Sequence, residues 1–177
     1  DWGESKNWFY KGLRVHYRVI GEESNPPIVL IHGFGASSDH WRNNANIFAS
    51  RGFRIYGIDL IGFGRSEQNL QKEIHYLDNQ FWSNQLSSFL DEIVDIKKNG
   101  KVILIGNSLG ALIAITTLSQ KPELIETIIA APLPEPVFVS PIKLLLPNCL
   151  KNVKSFLIKL FFHLFPLKAL VNLISRT

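Results

Sequence analysis

Five residues, Gly106-Asn107-Ser108-Leu109-Gly110, stand directly between a short apolar run at 101–105 and an apolar stretch of helical length at 109–121 that Pro122 closes. A strand that becomes a helix within so few residues presses its turn against both neighbours. Gly106 and Gly110 therefore have a physical reason to lack side chains, since a Cβ at either place would open the turn. The serine between them is lifted above the end of the strand in a strained conformation. Leu109 then starts the helix, where a free backbone N–H and the helix dipole can stabilise an anion. A helix N-cap serine flanked by coincidental glycines is the structural alternative, but the strand–turn–helix context favours a nucleophile.

The rest of the chain supplies a fold for that turn. Leu13, Val15, Tyr17 and Val19 alternate with Arg14, His16 and Arg18, which predicts a strand with one buried face, antiparallel or at a sheet edge. Ile28-Val29-Leu30-Ile31 is a continuous apolar run of the kind buried on both faces of a parallel sheet, and it stops abruptly at His32-Gly33-Phe34-Gly35. Trp41, Ala45 and Phe48 recur at helical spacing over 39–51, with Ser37 or Ser38 as N-cap and Gly52 as the stop. A strand follows at 53–58, then a two-glycine loop at 59–66. One long amphipathic helix is predicted next, carrying Phe81, Trp82, Leu86, Phe89, Leu90, Ile93 and Val94 on one face and ending at Gly100. Strands at 101–105 and 125–130 flank the apolar helix. Such alternation predicts an α/β fold with a mostly parallel sheet flanked by helices and right-handed crossovers. After Pro132 only helical patterns remain, so the expected division is a partial core at 1–132 and the start of a helical cap at 133–177.

Composition narrows the class. With 46% hydrophobic and 19% charged residues, the 177-residue chain suits one domain with a real core. Its single cysteine, Cys149, cannot form an internal disulfide or a zinc cluster of the CxxC type. Residues 1–100 carry 11 basic and 12 acidic side chains, whereas 101–177 carry 8 and 3. The lysines of the basic half are spaced singly among Leu, Ile and Phe, which speaks against nucleic acid and fits a membrane-facing or lipid-facing surface or a solvated helix face. The stretch 155–174 has the length of a membrane span, but Lys159, His163, Pro166 and Lys168 interrupt it at costly depths. The first ten residues hold no apolar leader. Met is absent even at position 1, so the native start is expected to be missing.

His32 lies at the carboxyl end of an early strand, where open α/β sheets place ligand loops. It precedes the serine in the chain, and it is read as orienting its loop rather than as a catalytic base. Taken together, HGFGAS (32–37), DLIGFGRS (59–66) and GNSLG (106–110), at these separations, resemble the first two-thirds of an α/β-hydrolase core. With the adjoining HWR at 40–42 they are most similar to the pheophytinase and chlorophyll-dephytylase branch of plants and cyanobacteria, which cleaves phytyl esters of chlorophyll derivatives. Ala111 departs from the GNSLGG usual there.

This resemblance implies Ser108 as nucleophile, the Phe34 and Leu109 amides as oxyanion hole, and Gly33, Gly35, Asn107 and Gly110 as loop and elbow support with His32 and Gly106. It implies a helical cap roofing an apolar pocket; Leu144, Leu145, Leu146, Phe156, Phe161, Phe162 and Phe165 suit its hydrophobic entrance or, equally, the packing of the cap itself against the core. The partner it implies is an apolar small-molecule ester, with membrane-surface contact through the basic cap, no nucleic acid, no metal and no cofactor. Its setting would be intracellular, cyanobacterial cytoplasm or thylakoid, or a plastid. No Asp follows Asp95, and the later Glu123, Glu126, Glu135 and His163 are poorly placed for acid and base. The expectation is an N-terminal piece, inactive alone, whose acid, base and last strands lie beyond it. Epoxide hydrolases and haloalkane dehalogenases share the fold with an aspartate at the elbow, against which Ser108 speaks. Carbon–carbon bond hydrolases carry a GNS elbow but an HGxGPG loop, from which Gly35-Ala36-Ser37 departs. A perhydrolase and a non-catalytic ligand-binding protein are the remaining alternatives.

Overall fold

The computed structural model describes residues 2–69 and 77–130. Six strands form one sheet in the order β1-β2-β4-β3-β5-β6: β1 (Glu4–Tyr10), β2 (Leu13–Ile20), β3 (Pro27–Ile31), β4 (Arg54–Ile58), β5 (Val102–Gly106) and β6 (Ile125–Ala130). The pairings of β4 with β3, β3 with β5 and β5 with β6 are parallel, and the β1–β2–β4 side is antiparallel. The mostly parallel sheet read from the sequence is the observed one. The expected cap at 133–177 and the membrane-length stretch at 155–174 lie outside the described residues, as does the expectation of further strands. Among the described residues, no helix is long and apolar enough to cross a membrane.

Period-two alternation in β3, β4 and β5 sends side chains to two separate cores. Val29, Ile31, Tyr56, Ile58, Val102 and Leu104 face one side, covered by α2 (Asn79–Phe89) and α4 (Leu109–Gln120). Ile28, Leu30, Ile55 and Ile105 face the other, where Trp41 and Ala45 bring in α1 (Arg42–Ser50). Trp2 also lies on this side, directly over Gly57, where a Cβ would stand 2.6 Å from its ring.

Three local expectations change. β1 was not anticipated: it pairs along its whole length with β2 through the two-residue turn Lys11-Gly12, both at positive φ, whose twist suits a hairpin. The polar face of β2 is not solvated, since His16 and Arg18 are only 3% and 2% exposed. The strand is interior to the sheet and Trp2 covers that face, accepting a 2.8 Å hydrogen bond from Arg18 at its carbonyl. The long helix expected before Gly100 is broken: α2 passes into a wide turn at Leu90–Val94, Asp95 adopts a left-handed φ of 51°, and α3 (Ile96–Asn99) is a single turn.

Candidate active site

The loops after β3, β4 and β5 meet at the carboxyl edge of the sheet. β5 ends at Gly106, and Ser108 sits at φ 51°, ψ −112°, a conformation that side chains other than glycine's avoid. The turn is that tight because of its neighbours. A Cβ on Gly106 would stand 2.5 Å from the Ala111 nitrogen, and one on Gly110 would run into the carbonyl oxygens of Ile31 and His32. The Asn107 N–H donates to the Ile31 carbonyl at 3.0 Å, tying the turn to β3. At the start of α4 the Gly110 N–H donates to Asn107, and those of Ala111 and Leu112 donate to Ser108, at 2.8, 3.0 and 3.2 Å. The Leu109 N–H has no acceptor among the described residues.

The loop after β3 leans on this turn. A Cβ on Gly33 would approach Asn107 Oδ1 to 2.9 Å and Ser108 Cβ to 3.4 Å, so only glycine lets the two segments sit this close. The Phe34 N–H has no acceptor among the described residues, and Gly35 continues the loop at φ 71°. His32 is fully buried, its Nε2 accepting from the Leu60 N–H at 3.0 Å and its Nδ1 donating to the Gly33 carbonyl at 2.7 Å. Burial pushes its pKa below the ordinary 6.5, although the Gly33 carbonyl and Asp59 act in the opposite sense. Both ring nitrogens are engaged, Nδ1 within its own loop and Nε2 in joining the loop after β3 to the loop after β4.

That third loop is organised by Asp59, the first residue of DLIGFGRS, whose role the sequence pattern alone does not reveal. Its carboxylate accepts from the Ser38 N–H at 2.6 Å, the Arg65 N–H at 2.8 Å and His16 Nδ1 at 3.0 Å. Burial raises its pKa, but the hydrogen bonds from His16, Arg65 and Ser38 outweigh that and hold it at about 2. Ser66 Oγ donates to the Asp59 carbonyl at 2.7 Å and accepts from the His16 N–H at 2.9 Å. Gly64, at φ 57°, is required because a Cβ there would collide with the same carboxylate. The detectable signal was an aspartate followed at fixed offsets by two glycines and a serine, together with an inward histidine on a strand.

No described side chain hydrogen bonds Ser108 Oγ. Glu123 lies in the turn just before β6 and Glu126 at the start of that strand, which pairs with Val102 at its beginning and with Gly106 at its end, so both occupy the edge of the sheet opposite the serine. Glu135 and His163 lie outside the described residues, as do the apolar side chains suggested for a pocket roof. Among the described residues no group of His, Cys, Asp and Glu could hold a metal ion.

Comparison with known proteins adds four findings. A family model described as alpha/beta hydrolase fold matches residues 26–143. The chain is 33% identical over 125 residues to "Epoxide hydrolase 4" of Mus musculus, covering 71% of this chain and 33% of that protein. It is 31% identical over 114 residues to a "2-hydroxy-6-oxononadienedioate/2-hydroxy-6-oxononatrienedioate hydrolase" of Burkholderia vietnamiensis, covering 63% and 37%. It thus spans about a third of the length of the curated relatives it matches. Among solved structures, the "Thioesterase Domain From Curacin Biosynthetic Pathway" superposes with a TM-score of 0.69 at 22% identity, covering 88% of this chain and 52% of that one, a likeness of fold.

Proposed function

The chain belongs to the α/β-hydrolase fold family, and on that premise we propose that Ser108 is the nucleophile of an acyl hydrolase acting on an ester with a bulky apolar group. The observation that carries this reading is a serine, not an aspartate, on the strained turn at φ 51°. A serine oxygen that opened an epoxide or displaced a halide would leave an alkyl ether, which water does not cleave here. The same oxygen attacking a carbonyl leaves an ester, which water can hydrolyse. Ser108 therefore suits carbonyl chemistry better than the activity named for the mouse relative.

In the proposed reaction Ser108 Oγ loses its proton to a base and bonds to the scissile carbonyl carbon. The carbonyl oxygen becomes an oxyanion held by the Leu109 and Phe34 N–H groups, the first at the positive end of α4. Collapse expels the alcohol, which takes up the proton, and leaves acyl-Ser108; water then repeats the sequence and releases the acid. The base and its acid are supplied by residues other than those described, following Ser108 in chain order. The scheme calls for no metal or organic cofactor.

A phytyl ester of a chlorophyll derivative is the finer reading, and it rests on the three motifs alone, because the relatives just named belong to other branches. With it go an intracellular setting and contact of the basic cap with a membrane surface. Hydrolysis of a carbon–carbon bond is the second reading, favoured by the likeness to the Burkholderia hydrolase and opposed by Gly35-Ala36-Ser37 in the oxyanion loop.

The test is covalent labelling of the protein, expressed from its complete gene, with a fluorophosphonate. Labelling at Ser108 that disappears in Ser108→Ala is the expected result, and an unlabelled serine makes the protein a ligand-binding member of the family. Turnover of a short p-nitrophenyl ester without turnover of pheophytin would remove the phytyl reading and leave the acyl hydrolase.

A further inference from the structure

Phe34 is the most exposed large apolar side chain among the described residues, at 79%, yet its ring is not loose. It stands edge-on to Phe63, with centroids 5.1 Å apart, and Phe63 in turn packs against His32 and Trp82, both at 5.8 Å. Trp82 is buried and anchored by a 2.9 Å hydrogen bond from its Nε1 to the Ile61 carbonyl. The series begins in the core and ends in solvent. It reaches solvent one residue from Gly33, which touches the nucleophile turn, and on the residue whose amide is proposed to hold the oxyanion. Among the described residues little covers this ring, and a large apolar ring left uncovered beside a reaction centre forgoes the stabilisation that covering it would bring.

We infer that Phe34 and Phe63 form an aromatic shelf that receives the apolar group attached to the scissile carboxyl, so that these two rings set the preference for bulky over short esters. The inference rests on the acyl-hydrolase reading and gives it a substrate determinant. The carbonyl oxygen lies against the Phe34 amide, so a substituent of the same carboxyl reaches the Phe34 ring within one residue's length. Covering that ring returns its hydration free energy only to substrates long or broad enough to touch it. Interaction of this size corresponds to about 10- to 100-fold in kcat/KM.

The experiment compares the wild-type protein with Phe34→Ala and Phe34→Tyr on two pairs of esters, phytyl acetate against ethyl acetate and p-nitrophenyl decanoate against p-nitrophenyl acetate. The expected result is that Phe34→Ala lowers the bulky-to-short ratio of kcat/KM by about 10- to 100-fold in one pair, identifying the alcohol or the acyl side. Phe34→Tyr, which keeps the ring, restores it. A ratio unchanged within about twofold in both pairs overturns the shelf, as does a lowered melting temperature without a change of ratio, which would mean that another part of the protein covers the ring. Calorimetric binding of phytyl ethyl ether, which the enzyme cannot cleave, separates the two readings. If Ser108 is not labelled but the ether binds and Phe34→Ala weakens it at least tenfold, hydrolysis fails and the shelf stands. If Ser108 is labelled and neither ratio nor ether binding responds, the shelf fails and hydrolysis stands.

Discussion

The turn after β5 and the loop after β4 end at the same edge of the sheet and are held by opposite means. The turn at 106–110 is fixed by backbone: two glycines packed against carbonyl oxygens and amides, and short hydrogen bonds among main-chain groups. The loop at 59–66 is fixed by a buried side chain, the Asp59 carboxylate, on which donors from β2, residue 38 and residue 65 converge. Adding an atom damages the first and removing one damages the second. A nucleophile needs a position that does not depend on protonation, and backbone sterics supply it. The supporting loop titrates.

Asp59→Ala should do the most harm. It strands His16 and two backbone N–H groups in a buried place, and removing one partner of a buried charged cluster costs about 3–5 kcal/mol. Urea unfolding measures it, and a loss under about 1 kcal/mol would show that the carboxylate is not what holds the loop.

Gly110→Ala probes the other region and ranks next, at about 2–3 kcal/mol. The atoms its Cβ would meet are the carbonyl oxygens of Ile31 and His32, which are main chain and cannot rotate aside. Gly35→Ala is the contrast, since nothing stands within 4 Å of its Cβ and only the positive φ is strained. Equal losses at the two glycines would mean that the close approach of Gly110 to the main chain costs no more than the positive φ of Gly35.

The third prediction sets pH against the comparison. Asp59 has an ordinary pKa of 3.8 and is held at about 2 in the folded chain. The unfolded chain therefore takes up the proton first as the pH falls, so the contribution is complete above about 4 and is lost as the pH drops through about 2. At about 1.4 kcal/mol per pH unit it amounts to about 2 kcal/mol. Urea midpoints measured between pH 2 and 5 should fall accordingly for the wild type and stay flatter for Asp59→Asn. A slope that survives in Asp59→Asn assigns the titration to another group.

The same contrast explains what was legible in the sequence. β3, β5 and the turn at Ser108 were readable because continuous apolar runs and obligatory glycines report backbone packing directly. The Asp59 cluster was not, because two of its partners, His16 and Ser38, are brought to it only by the sheet order β2-β4-β3. Alternation in β2 suggested a solvated polar face, whereas an interior strand buries both faces and must give His16 and Arg18 partners. β1 escaped because only Trp8 and Tyr10 of its seven residues face the core, and because Lys11-Gly12 lacks the Asn or Asp that usually marks so tight a hairpin.

The smallest predicted effect returns to Ser108 itself and has the opposite sign. A serine at φ 51°, ψ −112° carries strain of about 1–3 kcal/mol that glycine does not, while glycine loses about 0.5–1 kcal/mol through the greater freedom of its unfolded chain. Ser108→Gly should therefore raise stability by about 1 kcal/mol while removing the reactive oxygen. Ser108→Ala serves as the control, because it also removes the oxygen but keeps a Cβ on the strained backbone. If the glycine variant is the more stable of the two, the turn stores strain in order to present the hydroxyl. If alanine is the more stable by about 0.5–1 kcal/mol, the amount that the freer glycine chain loses, the positive φ costs nothing there, and the backbone-held region is relaxed rather than sprung.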